Sequence, residues 1–147
     1  MVDQSAVGTR FTPVQARVEG SRVRDFLDTI GEKSPVYRDA AAARAAGYAD
    51  IPIPPTFLFC LEMMGARDPF EAFSLLGIDI ARVLHGEQRF VYHAPAVVGD
   101  VLTFESSVSG VAVKKGGAMT IVDVTTKITN QDGRHVADTT RAIVVRN

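Results

Sequence analysis

What the chain lacks narrows the field first. It has a single cysteine, Cys60, in 147 residues. One cysteine excludes an intrachain disulfide and leaves no thiolate set for a structural zinc site, so no metal is expected. It has no excess of charge of either sign: 16 Lys and Arg stand against 17 Asp and Glu, for a formal net charge of -1. That balance removes the electrostatic reason to expect nucleic acid or an anionic membrane as partner. The start, Met1-Val2-Asp3-Gln4, lacks the basic residues and apolar run of a signal peptide. The most apolar stretch, Ile51 to Met64, is broken by three prolines and Glu62, so it does not read as a bilayer span. A cytoplasmic location is the expectation. There is no linker, internal repeat or low-complexity tail.

What is present is an ordinary globular composition, 46% hydrophobic and 22% charged. A chain of 147 residues is one domain's worth with room for a sizeable core, so residues 1–147 are expected to form a single domain. Periodicity divides it. In the first half, Val23, Phe26, Leu27 and Ile30 share one helix face, with Ser21 as an N-cap and Gly31 as the C-terminal stop. Asp39 can cap a short alanine-rich helix that ends at Gly47. Ile51-Pro52-Ile53-Pro54-Pro55 is stiff and extended, because proline fixes its own φ and pushes its predecessor out of the α region. Thr56 then caps Phe57 to Met64, a helix apolar on nearly every face, which must be surrounded by protein. Residues 66–80 read as either a short helix or an ordered flap.

After about residue 83 the pattern becomes strand-like. Leu84–His93, Val101–Val113, Ala118–Thr129 and Arg134–Val145 read as strands. Lys114-Lys115-Gly116-Gly117 and Asn130-Gln131-Asp132-Gly133 separate the last three, and Gly-Gly and Asp-Gly between β-branched runs signal hairpins. The expectation is an α+β fold in which a strongly curved antiparallel sheet wraps one long central helix. Open sheet edges in such a domain invite a partner, so a dimer is expected.

Three groups of residues could carry chemistry. Glu32 and Tyr37 sit on the ordered connection Gly31–Asp39, where Pro35 keeps Ser34 extended. Taken alone, that loop reads first as a plain interhelical connection with a solvent-facing Glu32 and a packed Tyr37. Thr56 and Phe57 stand at a helix N-terminus, whose free N–H groups and partial positive charge can stabilise a developing oxyanion. His85 and Glu87, two apart on a strand, are expected to share one face with Arg89, as an acid–base pair or as a structural contact between subunits. Cys60, inside the most apolar helix, reads as core rather than as a nucleophile. His93 reads as the end of its strand and His135 as an exposed residue after a turn. Lys114 and Lys115 read as a solvated hairpin tip.

Gly31-Glu32-Lys33-Ser34-Pro35-Val36-Tyr37-Arg38-Asp39, the alanine helix, Gly47-Tyr48 and Pro54-Pro55-Thr56-Phe57 together resemble the MaoC-like dehydratase family. The similarity is to its N-terminal-type branch, the one related to the dehydratase domain of type I fatty acid synthases. Leu84-His85-Gly86-Glu87-Gln88, Tyr92-His93 and Gly99-Asp100 extend the match over essentially the whole chain. The resemblance implies a hot-dog fold acting on 3-hydroxyacyl or enoyl thioesters of coenzyme A or acyl carrier protein, without a cofactor. It also implies that the Asp and His of the (R)-specific hydratases fall here on Glu32 and Tyr37.

That substitution bears directly on catalysis. Hydrating an enoyl thioester needs a base for water and an acid for the α carbon, and a His with a pKa near the operating pH suits both. A tyrosine with an ordinary pKa of about 10 is a poor base, though it can donate a hydrogen bond. Glu32 keeps the carboxylate on a longer arm, and a misplacement of about 1 Å can cost on the order of a hundredfold. The leading expectation is therefore a substrate-holding subunit of a dehydratase or hydratase, paired with a hot-dog chain that carries the Asp and His. The alternatives are an active homodimer using Glu32, Tyr37, His85 or Glu87, a non-catalytic acyl-thioester binding protein, and a hot-dog thioesterase.

Overall fold

The computed structural model describes residues 2–147. Four helices come before most of the sheet: α1 (Gly20–Ile30), α2 (Ala40–Ala45), α3 (Phe57–Gly65) and α4 (Glu71–Leu75). The strands are β1 (Val14–Arg17), β2 (Val83–Tyr92), β3 (Val101–Lys114), β4 (Met119–Thr129) and β5 (His135–Arg146). They form one curled antiparallel sheet in the order β1-β3-β4-β5-β2. The expected α+β layout is present, and the strand limits fall within about one residue of the turn signals that framed them.

Alternation decides which face of the sheet is the core. Leu102, Phe104 and Val108 of β3 are buried, as are Val122, Val124 and Ile128 of β4 and Ala137, Thr139 and Ile143 of β5. Against that face lies α3, whose Phe57, Leu58 and Leu61 join Val18, Val23 and Leu27 in one apolar cluster. Burying a side chain of this size stabilises by about 1.5–3 kcal/mol. A second cluster at the far end joins Phe11 and Ile78 to Val111, Val122, Ile143 and Val145, so the segment around α4 closes that end of the core.

Four expectations need correction. The central helix is not long: α3 has nine residues, followed by Ala66 in extended backbone. Its last residue, Gly65, packs so closely on β1 that a Cβ there would stand 2.8 Å from the carbonyl oxygen of Gln15. Asp68, held before Pro69, is also biased away from helix. Ser21 does not cap α1, which begins one residue earlier at Gly20 with Glu19 in the cap position. Thr56 occupies the cap position of α3 but has helical angles and makes no side-chain capping bond. Finally, β1 is a strand that the sequence pattern did not reveal. Gly31 and Asp39 behave as expected: Gly31 ends α1 in the left-handed region, and the Asp39 carboxylate accepts the N–H of Ala42 at 2.7 Å.

Candidate active site

The loop between α1 and α2 is tightly held. The Glu32 N–H donates to Leu27 (2.9 Å), and the Arg38 guanidinium spans from the Glu32 carbonyl (2.9 Å from Nε) to the Asp28 carboxylate (2.7 Å). A single helical turn, Pro35–Tyr37, then leads into α2. Within this frame the two side chains diverge. The Glu32 carboxylate folds back and accepts the N–H of Ser34 at 2.7 Å. Tyr37 is half-buried and packs against the main core cluster. Burial, with smaller contributions from Tyr48 and Glu32, pushes its phenol above the ordinary value. At neutral pH it is therefore a neutral hydrogen-bond donor, the opposite of what a general base requires.

Tyr37 lines an apolar cleft of about 160 Å³ with Tyr48, Pro55, Leu58, Tyr92 and Pro95. The cleft opens beside the start of α3. Of the two candidate oxyanion donors there, Phe57 already gives its N–H to the carbonyl of Pro54 at 3.0 Å. Thr56 is exposed, next in sequence to the cleft-lining Pro55, and makes no such bond among the described residues.

The structure separates the side chains of His85 and Glu87, while Nε2 of His85 lies 3.2 Å from the Glu87 carbonyl oxygen. A β-bulge at Gly86 breaks the ladder between β2 and β5, so His85 pairs with Ile143 while Glu87 pairs with Ala142. Two residues that regular alternation would place on one face therefore point to opposite faces. A Cβ on Gly86 would stand 2.7 Å from Cγ2 of Val144, so the bulge is made at a residue that tolerates the close approach. His85 turns toward α3, with its ring 5.2 Å from that of Phe59. Glu87 turns outward and pairs with exposed Arg89 at 2.7 Å. No acid–base pair forms between the two side chains. The inward partner in that motif is Gln88, opposite Arg141, and its amide oxygen is buried without a hydrogen bond among the described residues.

His85 lines a second cavity, of about 240 Å³, between α3, α4 and the sheet, together with Phe59, Met63, Phe73, Val83 and Arg141. Beneath it runs a polar seam that sequence reasoning passed over. Glu62 of α3 is buried; it accepts from Ser106 (3.0 Å) and Thr126 (3.5 Å) and pairs with Arg141 at 3.4 Å. The signal was a lone carboxylate in the most apolar helix, opposite a lone Arg on an inward-facing strand row. Cys60 is half-buried, and burial raises its thiol above the ordinary value, against a nucleophilic role.

The family model described as the FAS1-like dehydratase domain region matches residues 5–139. The chain belongs to this family. A UPF0336 protein of Streptomyces avermitilis is 36% identical over 150 residues, covering 99% of this chain and 95% of its own. Another from Clavibacter michiganensis is 41% identical over 125 residues, covering 85% and 82%. Among solved structures, the ChsH1-ChsH2 complex of Mycobacterium tuberculosis matches with a TM-score of 0.76 and 26% identity, over 93% of this chain and 84% of its own. The HadBC complex of Mycobacterium tuberculosis, a (3R)-hydroxyacyl-ACP dehydratase, matches with a TM-score of 0.79 and 24% identity over 95% and 96%. A MaoC-like dehydratase from Rhodospirillum rubrum gives a TM-score of 0.75 at 22% identity, over 100% and 97%. This FAS1-like dehydratase region thus has a hot-dog fold, the fold of the MaoC-like dehydratase structure it matches. No helix of its described residues is long and apolar enough to cross a membrane.

Proposed function

We propose that the chain is the acyl-holding subunit of a 3-hydroxyacyl-thioester dehydratase or enoyl-thioester hydratase, beside a second hot-dog chain that supplies the proton-transfer residues. The observation that carries this reading is the state of Glu32 and Tyr37. One carboxylate is tied to its own loop, and the neighbouring phenol is held protonated in an apolar cleft. Such a pair binds and orients; it does not relay protons. The cleft and the 240 Å³ cavity supply the apolar volume an acyl chain needs, and Thr56, next to the cleft-lining Pro55, is the remaining donor for a thioester carbonyl. The ChsH1-ChsH2 and HadBC neighbours are each complexes of two named chains, which supports a second chain here.

One observation favours a second reading, an active homodimer. His85 lines the cavity with Arg141, which puts an imidazole beside the volume proposed for the acyl chain. The thioesterase reading loses support, since Glu62, the one carboxylate on α3, is occupied by Ser106, Thr126 and Arg141. The test is hydration of a short enoyl-CoA by the purified chain, alone and after coexpression with a hot-dog chain that carries the Asp and His. The expected result is acyl-CoA binding without turnover alone, and turnover in the pair. Robust hydration by the chain alone, lost in His85→Ala, would overturn the proposal in favour of the homodimer. Release of free coenzyme A without hydration would point to thioester hydrolysis.

A further inference from the structure

The outer face of the sheet carries a cluster that the dehydratase reading does not use. Asp138 of β5 accepts hydrogen bonds on both carboxylate oxygens, from Nε2 of His93 (2.8 Å) and Nε2 of His135 (2.9 Å). The two imidazole rings lie 4.2 Å apart, and the three ligand atoms all fall within 4.8 Å of one another. No other group of three His, Cys or carboxylate side chains among the described residues comes this close.

The backbone explains how these residues meet. His135 and Asp138 are three apart on one strand, a spacing that regular alternation sends to opposite faces. A bulge intervenes: Ala137 pairs with Ile128 and His135 with Thr129, so Val136 is an extra residue against β4. It leaves Val136 and Ala137 buried side by side and brings His135 to the Asp138 face. The carbonyl of the same bulged residue accepts the N–H groups of His93 (2.8 Å) and Ala94 (3.1 Å), anchoring the third member just past the end of β2. One bulge thus aims one imidazole and anchors the other. Lys127 stands opposite Asp138 across the ladder, yet the two make no ion pair among the described residues; the carboxylate turns to the imidazoles instead.

We infer that His93, His135 and Asp138 form a binding site for a divalent transition-metal ion of the Zn²⁺ class. Two imidazole nitrogens and a carboxylate are the ligand types such an ion prefers, and three protein ligands leave a fourth position for water. Ligand bonds of 2.0–2.2 Å in a tetrahedral site require donor separations of about 3.4 Å, so the two His–Asp contacts open by about half an ångström and the two imidazole nitrogens, within 4.8 Å of each other, come to the same spacing. All three side chains are a little over one-third exposed, which gives the ion a path in. The site is a clip rather than a catalyst. It would fasten the end of β2, an edge strand, to β5, on the face opposite the acyl cavity.

The test is a Zn²⁺ titration of the untagged full-length chain against a chromophoric chelator, with Co²⁺ as a spectroscopic substitute. The expected results are one equivalent bound per chain, a Co²⁺ spectrum of nitrogen and oxygen ligation, and a rise in Tm that EDTA reverses. His135→Ala and Asp138→Asn should each weaken Zn²⁺ binding at least about tenfold, the low end of what losing even an outer partner costs a metal site. Asp138→Asn keeps the side-chain shape, so it decides the matter if the alanine variant fails to fold. Absence of binding, binding undiminished in Asp138→Asn, or a thiolate charge-transfer band marking Cys60 as the ligand would each overturn the inference.

Discussion

The two edges of the sheet are finished in different ways. At one edge β1 is four residues long and is backed by the end of α3, with Gly65 against the Gln15 carbonyl. At the other edge β2 runs for ten residues and pairs only with β5. Leu84, Val91 and Tyr92 on it are all about half exposed. A short, covered edge is closed to further pairing, whereas a long apolar one is a template for another strand. The first edge is completed by the chain itself; the second, under the proposed function, is completed by the partner. Substitutions at the first edge should therefore cost stability, and those at the second should cost association.

The sharpest break of that contrast is the double substitution Leu84→Lys with Val91→Lys. Two charges on β2 are expected to weaken assembly about a hundredfold while leaving the unfolding free energy of the separated chain within about 0.5 kcal/mol, as for surface changes generally. Sedimentation equilibrium and urea denaturation check the two halves. Unaltered assembly would mean that the partner docks elsewhere. The counterpart at the first edge is Gly65→Ala. Alanine is the better helix former by about 1 kcal/mol, but its Cβ would meet backbone at 2.8 Å, and overpacking costs about 1–3 kcal/mol. A net loss of up to about 2 kcal/mol in denaturant unfolding is expected, with assembly unchanged.

The same contrast explains what could be read in advance. The four long strands were legible because Gly-Gly and Asp-Gly turns frame β-branched runs, and that pattern is local. β1 was not, because four residues after Pro13 carry too little alternation; the strand exists by virtue of its pairing with β3. Glu32 and Tyr37 were placed correctly on an ordered loop, but the fold-back of the carboxylate onto Ser34 is a rotamer choice that no spacing reveals. Glu62 was passed over because its partners, Ser106, Thr126 and Arg141, lie 44 to 79 residues away in sequence. The bulges at Gly86 and Val136 were the largest hidden features. A single inserted residue inverts the face of everything beyond it, so counting by two joined His85 to Glu87, whose side chains do not meet, and does not bring His135 to Asp138.

The smallest expected effect tests the Gly86 bulge directly. If His85 and Glu87 shared a face as an acid–base pair, Glu87→Gln would be as damaging as His85→Ala. With the bulge, Glu87 points away from the cavity, and among the described residues its one ion pair is with Arg89, where both side chains are more than half exposed. Exposed pairs of this kind contribute about 0–1 kcal/mol, because water screens the charges and two long side chains must be ordered to meet. Glu87→Gln is therefore expected to change acyl-CoA affinity and the turnover of the assembled pair less than about twofold, and stability by less than about 0.5 kcal/mol. His85→Ala, which removes a ring from the cavity wall, should alter acyl-CoA affinity measurably in the same titration. Equal losses in the two variants would mean that β2 straightens when its partner strand is added, and that the free edge is reshaped on assembly.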